Sequence, residues 1–210
     1  MKFGILFTTA SAVIMMMILS GCATSSENVF SPKPGQLSKM EATGTNPFYQ
    51  ESTLYFKYPP FDKIKNAHYA PAFEKGMAEQ LAEIEGIAGQ SDAPTFENTI
   101  VAMEKSGQLL NRVATVFYSL ASAHTNDSLE AVRSEMAPKL SAHSDQILLN
   151  RNLFERIRTL YDQKTSLGLD AEAVRLVEET YKDFTRAGAN LSADDKERLK
   201  AINAELATQQ

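Results

Sequence analysis

Tryptophan is missing from the sequence, cysteine occurs once, at Cys22, and there are three histidines, His68, His124 and His143. A single thiol excludes an intrachain disulfide and a thiolate metal cluster, so the folded body must be held by packing. The histidines do not form the helical zinc motif His-Glu-x-x-His, which sets two imidazoles one turn apart with a glutamate beside them. None of the three is followed by Glu, and no two are four apart. Phosphate-cradling glycine loops (GxGxxG, GxxxxGK) are absent, as is the Gly-x-Ser-x-Gly turn that presents a nucleophilic serine. Adjacent acids such as Glu178-Glu179 and Asp194-Asp195 point to different parts of a helix surface and read as solvated charge. Positive charge is also scarce, with 21 Lys and Arg against 26 Asp and Glu. That excess argues against nonspecific nucleic-acid binding, which needs a basic face, and favours solubility.

What is present begins with a leader. Lys2 is followed by an apolar or small run from Phe3 to Leu19, and then by Leu19-Ser20-Gly21-Cys22. These four residues resemble the lipobox of bacterial lipoprotein signals. Cleavage is expected between Gly21 and Cys22, with the Cys22 thiol carrying the lipid. Several acyl chains on one residue anchor durably, which a single chain does not. The run is short for a membrane-spanning helix of about 20 residues, and no basic stop-transfer cluster follows it. Residues 1–21 are therefore read as a signal peptide that includes the Met15–Met17 run. A membrane contact through Cys22 follows, in the cell envelope. Ala23 after the cysteine points to the periplasmic face of the outer membrane if the source is Gram-negative. Residues 22–45 are rich in Ser, Thr, Pro and Gly without apolar period and read as a flexible tether.

Residues 46–210 form the folded part, with all-α patterning. Asn46 to Phe61 is crowded with aromatics, and Pro59-Pro60 forbids helix there. An extended segment laying Phe48, Tyr55, Phe56 and Phe61 across a helical body fits this composition. The competing reading is an aromatic platform for bases or sugars; packing is favoured because no basic cluster or Trp accompanies the rings. From Asp62 the period is helical. Tyr69, Phe73, Met77, Leu81, Ile84 and Ala88 share one face, and Gly89 stops that helix. A second helix runs from about Phe96 to beyond Leu120, interrupted by Gly107 at some cost. After the Thr125–Ser128 turn a third runs to about Leu149, which Pro138 should bend or restart. A fourth spans Leu153–Lys164. A fifth runs from the Asp170 cap to about Ala187, ahead of Gly188. A sixth follows the Ser192 cap with Leu199, Ile202 and Leu206 as its apolar face. That stripe reaches Gln210 without a cap or glycine, and the expectation is of further chain beyond it. About six helices are thus expected after the tether.

Several stretches in order resemble the N-terminal region of bacterial peptidyl-dipeptidases, in the thimet-oligopeptidase-like group of zinc metallopeptidases. They are Asn46-Pro47-Phe48, PPFDKI from Pro59, HYAPAFEKGM from His68 and APTFENTIVAMEKSG from Ala93. EMAPKLSAHSDQILLN from Glu135 and DFTRAGANLSADDKERLKAINAELA from Asp183 complete the series. The resemblance implies a clam-shaped, mostly helical peptidase whose N-terminal helices form one wall of a channel for short peptides. It also implies one zinc ion in the complete enzyme, held on a downstream His-Glu-x-x-His helix, and release of dipeptides from free C-termini. No catalytic, metal-binding or substrate-binding residue carries over, because no position of this chain matches one. Residues 1–210 alone are expected to bind no zinc and to be inactive. The alternative reading is a non-catalytic helical lipoprotein that binds peptides or a partner protein.

Overall fold

A computed structural model describes Asn46–Gln209. Gly21, Cys22, the leader and the tether lie outside the described residues.

Side-chain caps set the starts of the last four helices. The α1 helix, Tyr69–Ala88, follows a 3₁₀ turn at Asn66–His68 and ends at Gly89. A π-helical turn, Phe96–Val101, runs into the single turn α2, Ala102–Lys105, and is followed by α3, Gln108–Ala123. The remaining helices are α4, Asp127–Leu148; α5, Arg151–Gln163; α6, Ala171–Arg186; and α7, Ala193–Thr208. Asn126 accepts a hydrogen bond from Leu129 N, Asn150 from Leu153 N, Asp170 from Ala173 N and Ser192 from Asp195 N. Each bond satisfies an amide that the first helical turn cannot pair. No strand occurs among the described residues.

Three expectations change. The segment Asp62–Lys65 is not helical, because α1 begins only at Tyr69. The second expected helix is two. Gly107 adopts φ +68° and starts α3, while Ser106 is extended and ends α2. This left-handed conformation is open to glycine at little cost, and a Cβ here would lie 2.5 Å from Gln80 Cδ. Pro138, by contrast, does not divide α4. It removes one intrahelical hydrogen bond, but Met136 and His143, buried on either side of it, keep both halves seated.

Two apolar cores lie among the described residues, and α1 serves both. In the first, Tyr69 and Phe73 of α1 meet Val113 and Phe117 of α3 and Leu129, Val132 and Met136 of α4. The Phe73 and Phe117 rings meet edge to face at 5.3 Å, the favoured geometry for aromatic pairs. Gly76 allows α1 and α3 to approach closely, since a Cβ there would sit 2.8 Å from Leu110 Cα. In the second core, Ile84 and Ile87 meet Ile100, Leu153, Phe154, Ile157 and Leu160, with Val177 and Phe184 of α6. The buried Arg156 closes this core. Its guanidinium donates to the carbonyls of Gln90 and Asp92 and to the side chains of Gln90 and Asn98, so a charge without a carboxylate partner among these contacts fixes the 90–98 loop. The last helix, α7, lies on α4 and buries no residue. It is held by polar contacts. Asn203 Nδ2 donates to Asp145 at 2.7 Å, Ser141 Oγ donates to the Asn203 carbonyl, and Lys196 Nζ donates to the Leu149 carbonyl.

Candidate functional site

The aromatic segment splits into two parts with opposite environments. Its first residues are pinned. Asn46 accepts from Phe48 N and donates to the His68 carbonyl at 2.8 Å, and Arg112 Nε donates to the Phe48 carbonyl. These bonds deliver the Phe48 ring to Tyr69, 5.4 Å between centroids, where it is buried. The expectation of packing holds for Phe48 and fails for the others. Tyr55 is 84% exposed, Phe56 85%, Tyr58 62% and Phe61 42%. The physical reason is backbone geometry. Phe56 and Lys57 adopt left-handed φ values of 53° and 59°, conformations that cost a non-glycine residue about 1–2 kcal/mol each. The turn they make is braced. Lys57 N donates to Leu54 O, Tyr58 N donates to Tyr55 O, Ser52 Oγ accepts from Leu54 N, and Lys57 pairs with Glu51 at 2.9 Å. It therefore presents two ring pairs to solvent, Tyr55 with Phe56 and Tyr58 with Phe61.

The histidines lie on separate elements. His68 ends the 3₁₀ turn, and its Nδ1 accepts from Lys65 N. Partial burial and the nearby Lys65 charge hold its pKa below the ordinary value. His124 closes the C-terminus of α3. His143 is buried between α4 and α1, with Nε2 2.7 Å from Gln80 Oε1 and no partner for Nδ1 among the described residues. Burial lowers its pKa. Gln80 Nε2 in turn reaches Ser106 Oγ, and Glu83 accepts from Gly107 N. This network braces the α2–α3 break. A zinc ion implied by the resemblance does not fit these donors: one imidazole is committed to a backbone amide, one caps a helix and one is buried against an amide. No group of three or more His, Cys, Asp or Glu able to hold a metal ion is found among the described residues.

Shallow grooves are also present among the described residues. One lies between α3, α4 and α7, lined by Tyr118, Leu140, Ser141, Asn203 and Leu206. Another follows α6 beside the stacked Tyr161 and Tyr181 rings, 4.0 Å apart. There Arg175 and Lys182 are already paired with Glu178 and Glu179. The hydroxyl–carboxylate pairs Ser192–Asp195 and Thr125–Glu130 lie at helix starts, where the Ser192 hydroxyl serves as a cap. Reading residues in order missed the Gln80–His143 contact, whose partners are 63 positions apart, and the Arg156 clamp. An arginine on the apolar face of α5, one residue before Ile157, was the available signal for the clamp.

The chain is 45% identical over 164 residues to Dipeptidyl carboxypeptidase of Salmonella typhimurium, covering 78% of this chain and 24% of that protein. It is also 45% identical over 166 residues to Dipeptidyl carboxypeptidase of Escherichia coli, covering 79% and 24%. Oligopeptidase A of Salmonella typhimurium is 25% identical over 151 residues, covering 72% and 22%. No family model matches the chain. The chain spans about a quarter of the length of the curated relatives it matches. The expected resemblance is therefore met across most of the chain, by relatives that share its order of residues, and the chain belongs to the dipeptidyl carboxypeptidase-like peptidases, corresponding to their N-terminal portion.

Proposed function

We propose that this chain is the helical front wall of a zinc peptidase that hydrolyses short peptides, releasing dipeptides from their C-termini, and that Cys22 anchors it to the cell envelope by lipid. The observation that carries the peptidase reading is the 45% identity to two proteins named Dipeptidyl carboxypeptidase. Identity at that level over more than 160 residues is shared descent rather than shared helicity. The role of a wall is supported by the two packed cores. The zinc would be held by residues outside this chain, and no step of hydrolysis is assigned to a residue within it. The anchor is supported by Leu19-Ser20-Gly21-Cys22, by Lys2 before the apolar run and by the polar stretch that follows.

The test joins all 210 residues to the part of the Escherichia coli relative that lies beyond its matched region. The fusion should release dipeptides from an N-blocked tetrapeptide in a chelator-sensitive way. A folded fusion without that activity overturns the peptidase reading and favours a non-catalytic helical lipoprotein. Release of single residues or internal cleavage would overturn the dipeptide assignment alone. Labelled palmitate should enter the chain in cells and fail to enter Cys22→Ser; equal labelling of the two removes the anchor.

A further inference from the structure

We propose that the turn from Leu54 to Phe61 is a docking surface for the polypeptide that the relatives carry outside their matched quarter, an inference that rests on the peptidase reading above. Four aromatic rings and Leu54, itself 49% exposed, lie within eight residues. Scattered exposed apolar residues need no explanation, but a contiguous patch marks an interaction site. This patch is also built. Two consecutive non-glycine residues hold left-handed backbone, and the Glu51–Lys57 ion pair and the turn hydrogen bonds keep them there. Buried Phe48 at one end and α1 at the other tie the turn to the first core. Strain of this kind persists only where the surroundings enforce it, and it collects at sites of recognition.

The occupant follows from charge and length. Glu51 and Asp62 bracket the turn, and Lys57 between them is already paired with Glu51. An anionic bilayer recruits clusters of about four or more unpaired Lys and Arg; the turn itself carries only the paired Lys57, and Lys63 and Lys65 beyond it make two. The turn offers flat apolar area with two phenolic hydroxyls, on Tyr55 and Tyr58, the composition of a protein interface core. The chain spans 24% of each dipeptidyl carboxypeptidase relative, so most of a family-length polypeptide lies outside the match. The other exposed faces are weaker candidates. The α6 groove carries paired charges, and α7 presents Ile202 and Leu206 without the bracing that fixes the aromatic turn.

The experiment compares the 210-residue chain with the fusion described above, using hydroxyl-radical labelling read residue by residue. Tyr55, Phe56 and Tyr58 should be labelled strongly in the chain alone and lose that labelling in the fusion. Tyr55→Ser with Phe56→Ser should lower the melting temperature of the fusion and leave that of the chain unchanged. Equal labelling in both proteins overturns the proposal. So does protection of the chain alone by phosphatidylethanolamine–phosphatidylglycerol vesicles, which would make the turn a membrane contact. Protection that grows with concentration of the chain alone would assign the turn to a second copy and also overturn it. A fusion that hydrolyses peptides while its rings stay labelled keeps the peptidase reading and removes the docking surface. Protected rings in a folded, inactive fusion do the reverse. Should the fusion not fold, residues 51–62 grafted onto the aligned positions of the intact Escherichia coli relative give the same labelling comparison.

Discussion

The helices α5 and α7 have 13 and 16 residues and both carry an apolar stripe, yet α5 buries Leu153, Phe154, Arg156, Ile157 and Leu160 while α7 buries nothing. Helix formation does not separate them, since both begin on a side-chain cap and both form, although the apolar residues of α5 are gathered more tightly on one side. Neighbours separate them. The α5 helix is enclosed by α1, α6 and the π-helical turn, so its stripe faces apolar side chains from three elements. The α7 helix meets chiefly α4, through Asn203, Lys196 and Ser141, and leaves Ile202 53% and Leu206 52% exposed. An amphipathic pattern therefore specifies a helix and the side it would bury, while the burial itself depends on what lies opposite. The aromatic segment repeats this contrast over shorter range. Phe48 has Tyr69 to meet, and Tyr55 and Phe56 have only each other.

The largest expected effect sharpens that comparison on the α5 side. Ile157 is fully buried in the second core, and Ile157→Ala removes most of its side-chain volume from among packed apolar neighbours. A loss of about 2–5 kcal/mol is expected, measured by urea unfolding of the chain. A loss below about 1 kcal/mol would mean that the second core is as loosely held as the α7 face.

Gly107→Ala comes next. The new side chain would meet positive φ and the Gln80 side chain together. The left-handed backbone alone costs about 1–2 kcal/mol, and displacing Gln80 adds the loss of its contact with His143. Urea midpoints should show that sum. Gly86→Ala, where a Cβ meets nothing within 4 Å, should leave the midpoint unchanged or raise it. If the two substitutions behave alike, the α2–α3 break is not enforced by Gly107.

That break also shows where reading the sequence stopped. The caps at Asp170 and Ser192 were legible, because each is a local relation between a side chain and an amide three positions on. The helical class and most of the core stripe were legible from period alone. A break at Gly107 was not separable from an interruption, because the pattern on both sides is apolar and helical; the Gln80 contact that settles it lies 27 positions away in sequence. The exposure of Tyr55 and Phe56 was misread for a related reason. Composition shows that rings are present, and only backbone geometry shows where they point. Among the candidate site residues, the histidines' separation was legible from spacing, while Gly21 and Cys22, read from a short motif, lie outside the described residues. The clamp at Arg156 was not, because its acceptors are mostly backbone carbonyls of a distant loop.

A smaller effect depends on pH and tests the first half of the molecule against the second. His143 faces Gln80 of α1, and burial holds its pKa below the ordinary value of 6.5. The fold therefore favours the neutral ring. Its contribution is intact above pH 6.5 and is lost as pH falls through the ordinary value toward the lower folded one, because the unfolded chain takes up the proton first. His143→Gln should be less stable than the native chain at pH 8, and the gap should narrow as pH falls below 6.5. A gap that stays constant from pH 8 to pH 5 would show that His143 titrates alike in both states.

The smallest expected effect falls on α7 and decides how the comparison with α5 is to be understood. Ile202→Ala and Leu206→Ala remove apolar groups that are already half in water, so each should change stability by no more than about 0.5 kcal/mol. Asn203→Ala should cost more, about 1 kcal/mol, although it removes fewer apolar atoms. It breaks the bond to partly buried Asp145 and leaves that carboxylate short of a donor. The order is the informative quantity: a polar residue outweighing two larger apolar ones would show that α7 is fastened to α4 by hydrogen bonds rather than by its stripe. The reverse order, with Leu206→Ala the most costly of the three, would place Leu206 in a packed seat against Tyr118 and Leu140. The contrast between α5 and α7 would then be one of degree. Proteolysis by thermolysin at the Gly188–Leu191 connection provides an independent reading, since a helix that packs chiefly on one neighbour and buries no residue opens without global unfolding. Asn203→Ala should speed that cleavage while Ile202→Ala leaves it unchanged.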